Sequence, residues 1–176
     1  MEKSKLNIRL LDIRDVPQIA GAFKKLGWNK PPSQYERYAL EQALDVRDVY
    51  VAFVEDQFAG YLTICWQSSY EPFRKDGIPE IVDFNVMPEF RRQGIGTALM
   101  DMAENEIGKV SHIAGIGVGM TPDYGAAQRM YVLRGYIPDG RGLYHRDRPL
   151  QYGDPVTVDN DLALYFTKEL NSINDK

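Results

Sequence analysis

A chain of 176 residues suits one domain, spanning 1–176, with a core of ordinary size. Hydrophobic residues at 44% and charged residues at 26% are those of a soluble globular protein. No apolar run approaches the ~20 residues of a membrane span, and Met1 to Lys5 lead into alternating Leu6, Ile8 and Leu10 rather than a signal region. A lone Cys65 makes no internal disulfide, which points to the cytoplasm. A net charge of −4, with basic residues scattered except at Arg91-Arg92 and Arg141 to Arg148, offers no broad face to nucleic acid.

Leu6 to Leu11 alternates as a half-buried strand, and Asp15 before Pro17 opens a helix over Val16 to Leu26. Gly27 and Pro31-Pro32 break the chain. Ser33-Gln34-Tyr35-Glu36 then reads as a capping box starting a second helix that reaches about Val46. Tyr50 to Val54 and Gly60 to Trp66 are β-rich runs joined through Glu55-Asp56-Gln57 as a hairpin. Cys65, between Ile64 and Trp66, reads as a small core residue rather than an acyl-accepting thiol. A polar, proline-containing excursion from Ser68 to Pro79 precedes the strand Glu80 to Val86. Its Glu80, Asp83 and Asn85 need partners or a job, because a wholly buried strand does not otherwise hold polar side chains.

A helix from about Ile95 places Ile95, Ala98, Leu99, Met102, Ala103 and Ile107 on one stripe, the period of a face packed on a sheet. His112 to Val118 is the next strand. Its Gly115, Gly117 and Gly119 fail the G-x-G-x-x-G spacing, where Met120 and Pro122 intrude, so they mark a bulge or a close backbone approach. Thr121-Pro122-Asp123 caps a helix that Gly135 ends, and Leu162 to Thr167 is a last strand. The polar tail from Gly140 to Asp161 reads as one long loop, the segment expected to decide a substrate. His145 within it is by default a surface residue. With only His112 beside it and no ligand spacing, no metal is expected.

Arg91-Arg92-Gln93-Gly94-Ile95-Gly96 lies between the strand ending at Met87 and the helix at Ile95. The first turn of a helix points unpaired N–H groups outward and carries partial positive charge, so the junction suits an anion. Gly94 and Gly96 permit close approach and the two arginines add charge, although an ordinary surface turn has the same composition. A dinucleotide fingerprint needs a glycine where Leu99 stands, and no Gly-Lys-Ser/Thr ending of a P-loop is present. Another phosphate ligand is implied.

Arg-x-x-Gly-x-Gly after a strand ending Asn85-Val86-Met87-Pro88 resembles the acetyl-CoA-binding motif of the GNAT family of N-acetyltransferases. Ala126-Ala127-Gln128-Arg129-Met130-Tyr131-Val132-Leu133-Arg134-Gly135-Tyr136 is similar to the helix that follows in that family. The resemblance implies a mixed α/β fold with a central, twisted, mostly antiparallel sheet of about six to seven strands and about four helices. It implies acetyl-CoA as co-substrate, no metal, and direct attack by an amine without an acyl-enzyme. The acceptor stays open among a small amine, an amino acid, a polyamine, an antibiotic and a protein amine. A homodimer is common in the family. A non-catalytic acyl-CoA sensor and an enzyme for a longer acyl-CoA are the rival readings.

The resemblance further assigns Asn85, Val86 and Met87, with Arg91, Arg92, Gln93, Gly94, Ile95, Gly96 and Thr97, to pantetheine and pyrophosphate. The strand of Gly115 splays away from that of Glu80 in the family, and the pantetheine arm enters the gap. Glu80 lies six residues before Val86, the spacing of a glutamate base in histone-acetylating members; a solvated or salt-bridged carboxylate is the alternative. Tyr131 matches the tyrosine that protonates the departing thiolate, the alternative being a packed helix tyrosine. Alternation puts Asp83 and Asn85 on the face opposite Glu80 unless a bulge intervenes. Trp28, Tyr35 and Tyr38 either border the acceptor or fill the core. Two departures stand out: Tyr124 replaces an asparagine common in the family, and Arg92-Gln93 replaces an arginine-glycine pair.

Overall fold

The computed structural model describes residues 5–170. Among them, strands β1 (Leu6–Leu10), β2 (Arg47–Val54), β3 (Gln57–Cys65), β4 (Glu80–Val86), β5 (Ile113–Gly119), β6 (Ile137–His145), β7 (Arg148–Pro149) and β8 (Leu162–Glu169) form one sheet in the order β1-β2-β3-β4-β5-β8-β6-β7. Helices are α1 (Val16–Lys25), α2 (Pro32–Ala43), α3 (Glu71–Asp76), α4 (Ile95–Gly108) and α5 (Gly125–Leu133). The class is the expected mixed α/β one, with eight strands and five helices instead of about six to seven and four. The chain forms two compact units, one of residues up to Trp66 with Val82–Asn105, the other of Gln67–Ile81 with Glu106 onward.

In the first unit, β1, β2 and β3 run antiparallel from Leu6↔Val54 to Arg47↔Cys65. Their hairpin is tighter than composition indicates. Glu55 and Asp56 both take positive φ, 49° and 65°, the two-residue turn whose twist matches paired strands, and Gln57 already belongs to β3. α1 starts at Val16 directly after Asp15, as expected, and a 3-10 turn over Ile13–Asp15 precedes it: the Asp12 carboxylate accepts from the Arg14 N–H while the Asp15 carboxylate accepts from the Asp12 N–H, a reciprocal box ahead of α1. α2 has no such box. It begins at Pro32, so Ser33 lies inside the first turn, and the fixed φ of proline at a position that needs no donor replaces a side-chain cap. It ends at Ala43 rather than Val46 because Asp45 turns left-handed at φ 56° and Arg47 enters β2. Ile19 and Phe23 of α1 and Tyr35 of α2 bury fully against Val49, Val51 and Tyr61.

In the second unit, β5 pairs antiparallel with β8 from Ile113↔Glu169 to Gly119↔Ala163, and β4 joins β5 in parallel through Glu80↔Gly115 and Ile81↔Ile116. The alternate glycines of β5 are close approaches to aromatic rings. A Cβ on Gly115 would lie 2.3 Å from the Phe73 ring, on Gly117 2.8 Å from Tyr165, and on Gly119 2.5 Å from Tyr124. Phe73 comes from α3, a six-residue helix inside the excursion from Ser68 to Pro79 that polarity conceals. The long loop is also shorter than expected: β6 and β7 take Gly140–His145 and Arg148–Pro149 from it. Gly140 and Gly142, at φ 83° and 75°, carry the irregularity in the β6–β8 pairing between Pro138 and Leu143, which lets a polar, glycine-rich run remain a strand.

Candidate active site

The turn before α4 has the geometry that its glycines indicate. Gly94 takes φ 83° and Arg92 φ 61°, and the Ala98 N–H bonds the Gly94 carbonyl at 2.9 Å as the first helical bond. The N–H groups of Ile95, Gly96 and Thr97 therefore have no acceptor within the helix. A Cβ on Gly94 would meet nothing within 4 Å, so the turn is open at that point. Gly96 serves packing: its Cβ would stand 3.3 Å from Phe84 Cζ and 3.6 Å from Val86 Cγ2. Arg91 donates from Nε to the Val86 carbonyl at 3.1 Å and Gln93 from Nε2 to the Glu89 carbonyl at 2.9 Å, bracing the turn, while Arg92 is exposed. Met87 is a core residue, 2% exposed, whose N–H donates to Ala59 O at 2.9 Å. Backbone donors without a helical acceptor, the exposed Arg92 and an open glycine form a donor set that fits a pyrophosphate.

Within β4, Asp83 takes a left-handed φ of 52°. Five donors converge on its carboxylate: Lys30 Nζ at 2.6 Å and Asn85 Nδ2 at 2.9 Å on Oδ1, and Gln34 Nε2 at 2.9 Å, the Tyr38 hydroxyl at 2.9 Å and the Tyr61 hydroxyl on Oδ2. Asn85 thus shares a face with Asp83, as alternation gives. The Lys30 ammonium also sits over the Phe23 and Tyr61 rings at 5.6 and 5.4 Å. Burial, then the Asp83 charge, pushes the Tyr38 hydroxyl up to about 12 and that of Tyr61 well above its usual value, so both stay donors. Gly60 permits β3 to approach: a Cβ there would lie 2.5 Å from the Asn85 carbonyl oxygen. Lys30, Gln34, Gly60 and Tyr61 were not legible as parts of this cluster, since they lie 22 to 53 positions from Asp83 and no motif links them. Tyr35 and Tyr38 are buried. Trp28 is 38% exposed, stacks on Phe23 at 5.7 Å and lines a groove of about 380 Å³ with Lys24, Lys30 and Pro31.

In the second unit Glu80 is 7% exposed and so not solvated; its Oε2 accepts from the Ser68 hydroxyl at 2.5 Å. Tyr131 is 5% exposed, and burial, followed by the nearby Tyr124, pushes its hydroxyl pKa upward, so it remains protonated at neutral pH. Tyr131 and Tyr136 rings lie 6.0 Å apart. Tyr124, in the place of the asparagine, covers Gly119, whose carbonyl accepts from Gln128 Nε2 at 2.8 Å. His145 pairs with Asp159 at 3.1 Å, holding that carboxyl below its usual range. Cys65 is partly exposed. Among the described residues no three His, Cys, Asp or Glu side chains group as metal ligands, and no helix is long and apolar enough to cross a membrane.

A strand leading into an open glycine turn at a helix start, on a mixed sheet of this order, defines an α/β protein whose candidate anion site is that turn. The family model of the Acetyltransferase (GNAT) family matches residues 13–136, and the chain belongs to that family. No curated protein sequence matches it. Among solved structures it resembles an N-acetyltransferase from Staphylococcus aureus (13% identity, 96% of this chain and 100% of the other, TM-score 0.69). It also resembles a ribosomal-protein-alanine N-acetyltransferase from Brucella melitensis (18%, 93% and 99%, TM-score 0.68). A spermidine N-acetyltransferase chimera from Vibrio cholerae is similar too (14%, 95% and 96%, TM-score 0.66). Likeness at these identities is likeness of fold.

Proposed function

We propose that the chain is an acetyl-CoA-dependent N-acetyltransferase that moves the acetyl group to a primary amine by direct attack in a ternary complex. The observation that carries this is the turn at α4, where Gly94 is open at φ 83° ahead of the N–H groups of Ile95, Gly96 and Thr97. These donors with Arg92 would hold the pyrophosphate, and Asn85 and Val86 would take the pantetheine arm. Acetyl-CoA supplies the thioester carbonyl that the amine attacks: a C–N bond forms and the C–S bond breaks. Glu80 takes the proton that the nitrogen loses, directly or through water, and Tyr131, held protonated, gives one to the thiolate sulfur. Asp83 is the weaker choice of base. An ionised carboxylate has about four lone-pair sites, and its five donors occupy them.

The acceptor class is a primary amine, a group carried by both the alanine and the spermidine named for two structures of the same fold. Thiol release from acetyl-CoA is the test, followed across primary amines that include spermidine, amino acids and a peptide with an alanine N-terminus. The parent protein should release thiol with at least one of them, and Glu80→Gln and Tyr131→Phe should lower kcat while leaving acetyl-CoA affinity in place. Binding of acetyl-CoA with no amine-dependent release would instead make the protein a sensor. Unchanged turnover in both variants would remove the two roles.

A further inference from the structure

The excursion between β3 and β4 is built around one hydroxyl. Ser68 is 1% exposed, and its Oγ accepts the Tyr70 N–H at 2.9 Å, which directs its own proton to Glu80 Oε2. The segment that carries Ser68 is fixed on both sides. Tyr70 lies flat on Tyr165, ring centroids 3.6 Å apart, and donates its hydroxyl to Asp139 Oδ2 at 2.7 Å. Arg74 of α3 donates to the Ser69 carbonyl at 2.9 Å. Across from Ser68, a Cβ on Gly117 would stand 3.4 Å from Glu80 Oε1 and 2.8 Å from the Tyr165 ring, so the glycine leaves room at the other carboxylate oxygen.

We propose that Ser68 is the positioning residue of the base: its hydroxyl holds the Glu80 carboxylate in one orientation and favours its ionised form, so that it is ready to take a proton from the amine. This rests on the assignment of Glu80 as base. A serine buried in a structural turn alone would leave the carboxylate indifferent to its loss. Here the hydroxyl has one acceptor for its proton, and a hydrogen bond donated to a carboxylate stabilises the charged form. The titratable group facing Glu80 from β8 is Tyr165. Burial, then the charges of Glu80, Asp147 and Asp139, pushes its hydroxyl pKa upward, so it does not titrate in the range where a carboxylate does.

The test is a pH titration of 13C-labelled glutamate carboxyl groups by NMR, the Glu80 resonance being the one absent from Glu80→Gln. Removing one charge-assisted hydrogen bond should raise the Glu80 midpoint by about one pH unit in Ser68→Ala, a tenfold change in its proton affinity. Ser68→Thr, which keeps the hydroxyl, should restore the parent midpoint. Near-ultraviolet circular dichroism identifies which variants keep the parent packing. An unchanged midpoint in Ser68→Ala, or an equal rise in Ser68→Thr, overturns the proposal. The base assignment fails separately: with the amine that gives thiol release, Glu80→Gln would then keep the acid limb of kcat/KM, whatever the NMR midpoint does in the serine variants.

Discussion

Gly94→Ala tests the phosphate turn, and Gly135→Ala is its control. Both glycines hold positive φ, 83° and 89°, and neither has a neighbour within 4 Å of a new Cβ, so alanine at either site costs backbone strain and no clash. That strain is roughly 1–2 kcal/mol. An unfolding entropy of about 2.1 cal/mol/K per residue over 176 residues converts it to a Tm lower by about 3–5 °C in both variants. Acetyl-CoA at 100 times its Kd adds about 2.7 kcal/mol to the parent, a Tm rise of about 7 °C on the same scale. Gly135→Ala should show the full rise. In Gly94→Ala the methyl stands where the anion must approach and the strain opens the turn. A hundredfold loss of affinity leaves about 0.4 kcal/mol, a rise near 1 °C. Thermal unfolding by circular dichroism, with and without acetyl-CoA, reads all three proteins. Equal ligand shifts in the two variants would refute the assignment of the turn, and no shift in the parent would remove acetyl-CoA as its ligand.

Asp83→Asn should cost about 2–4 kcal/mol in urea unfolding, the range for breaking a buried ion pair reduced for its partial exposure. Lys30→Met should cost less, and the double variant should recover about 1–2 kcal/mol of the sum because the two groups are in contact; an Asp83→Asn cost below about 0.5 kcal/mol would mean that the cluster is not a unit. Gly117→Ala drives a Cβ to 2.8 Å from a Tyr165 ring already stacked on Tyr70, and overpacking of this kind costs about 1–3 kcal/mol. A neutral urea midpoint would show that the rings shift freely. Alkaline pH should destabilise the fold. Burial raises the hydroxyl pKa of Tyr35, Tyr38, Tyr131 and Tyr165 above the unfolded value. The unfolded chain thus releases protons first: stability is complete below about pH 10 and falls as pH rises through the Tyr38 value of about 12. Urea midpoints at pH 8, 10 and 11 with tyrosinate absorbance would check this, and a flat midpoint would contradict it.

What the sequence disclosed is what local periodicity and local turn chemistry control. β4 begins and ends where its β-rich run does, and Ile95, Leu99, Ala103 and Ile107 bury as the helical stripe requires. The glycines of β5 were legible as close approaches, but not the rings that approach them, because Phe73, Tyr124 and Tyr165 arrive from separate parts of the chain. α3 was hidden because its six residues bury only Phe73, with Pro72 starting and a left-handed Gly77 ending a turn too short for a period.

Asp83 and Glu80 show where such reasoning must yield to tertiary structure. On one strand, three residues apart, two carboxyl groups of the same intrinsic chemistry differ in what surrounds them. Lys30 and Gln34 from the start of α2 and the chain before it, Tyr38 from α2 and Tyr61 from β3 saturate Asp83 and hold it at φ 52°, a conformation that no alternation rule supplies. Donors occupy the lone-pair sites of its carboxylate, so Asp83 organises the polar groups of its own unit. Glu80 is instead buried against a hydroxyl whose orientation the Tyr70 N–H fixes. The division of labour between them is set by donors recruited from distant positions. A variant that moved those donors, leaving both carboxylates in place, would therefore change what surrounds Asp83 and Glu80 more than a conservative change at either acid, and so bears more directly on the proposal of Glu80 as base.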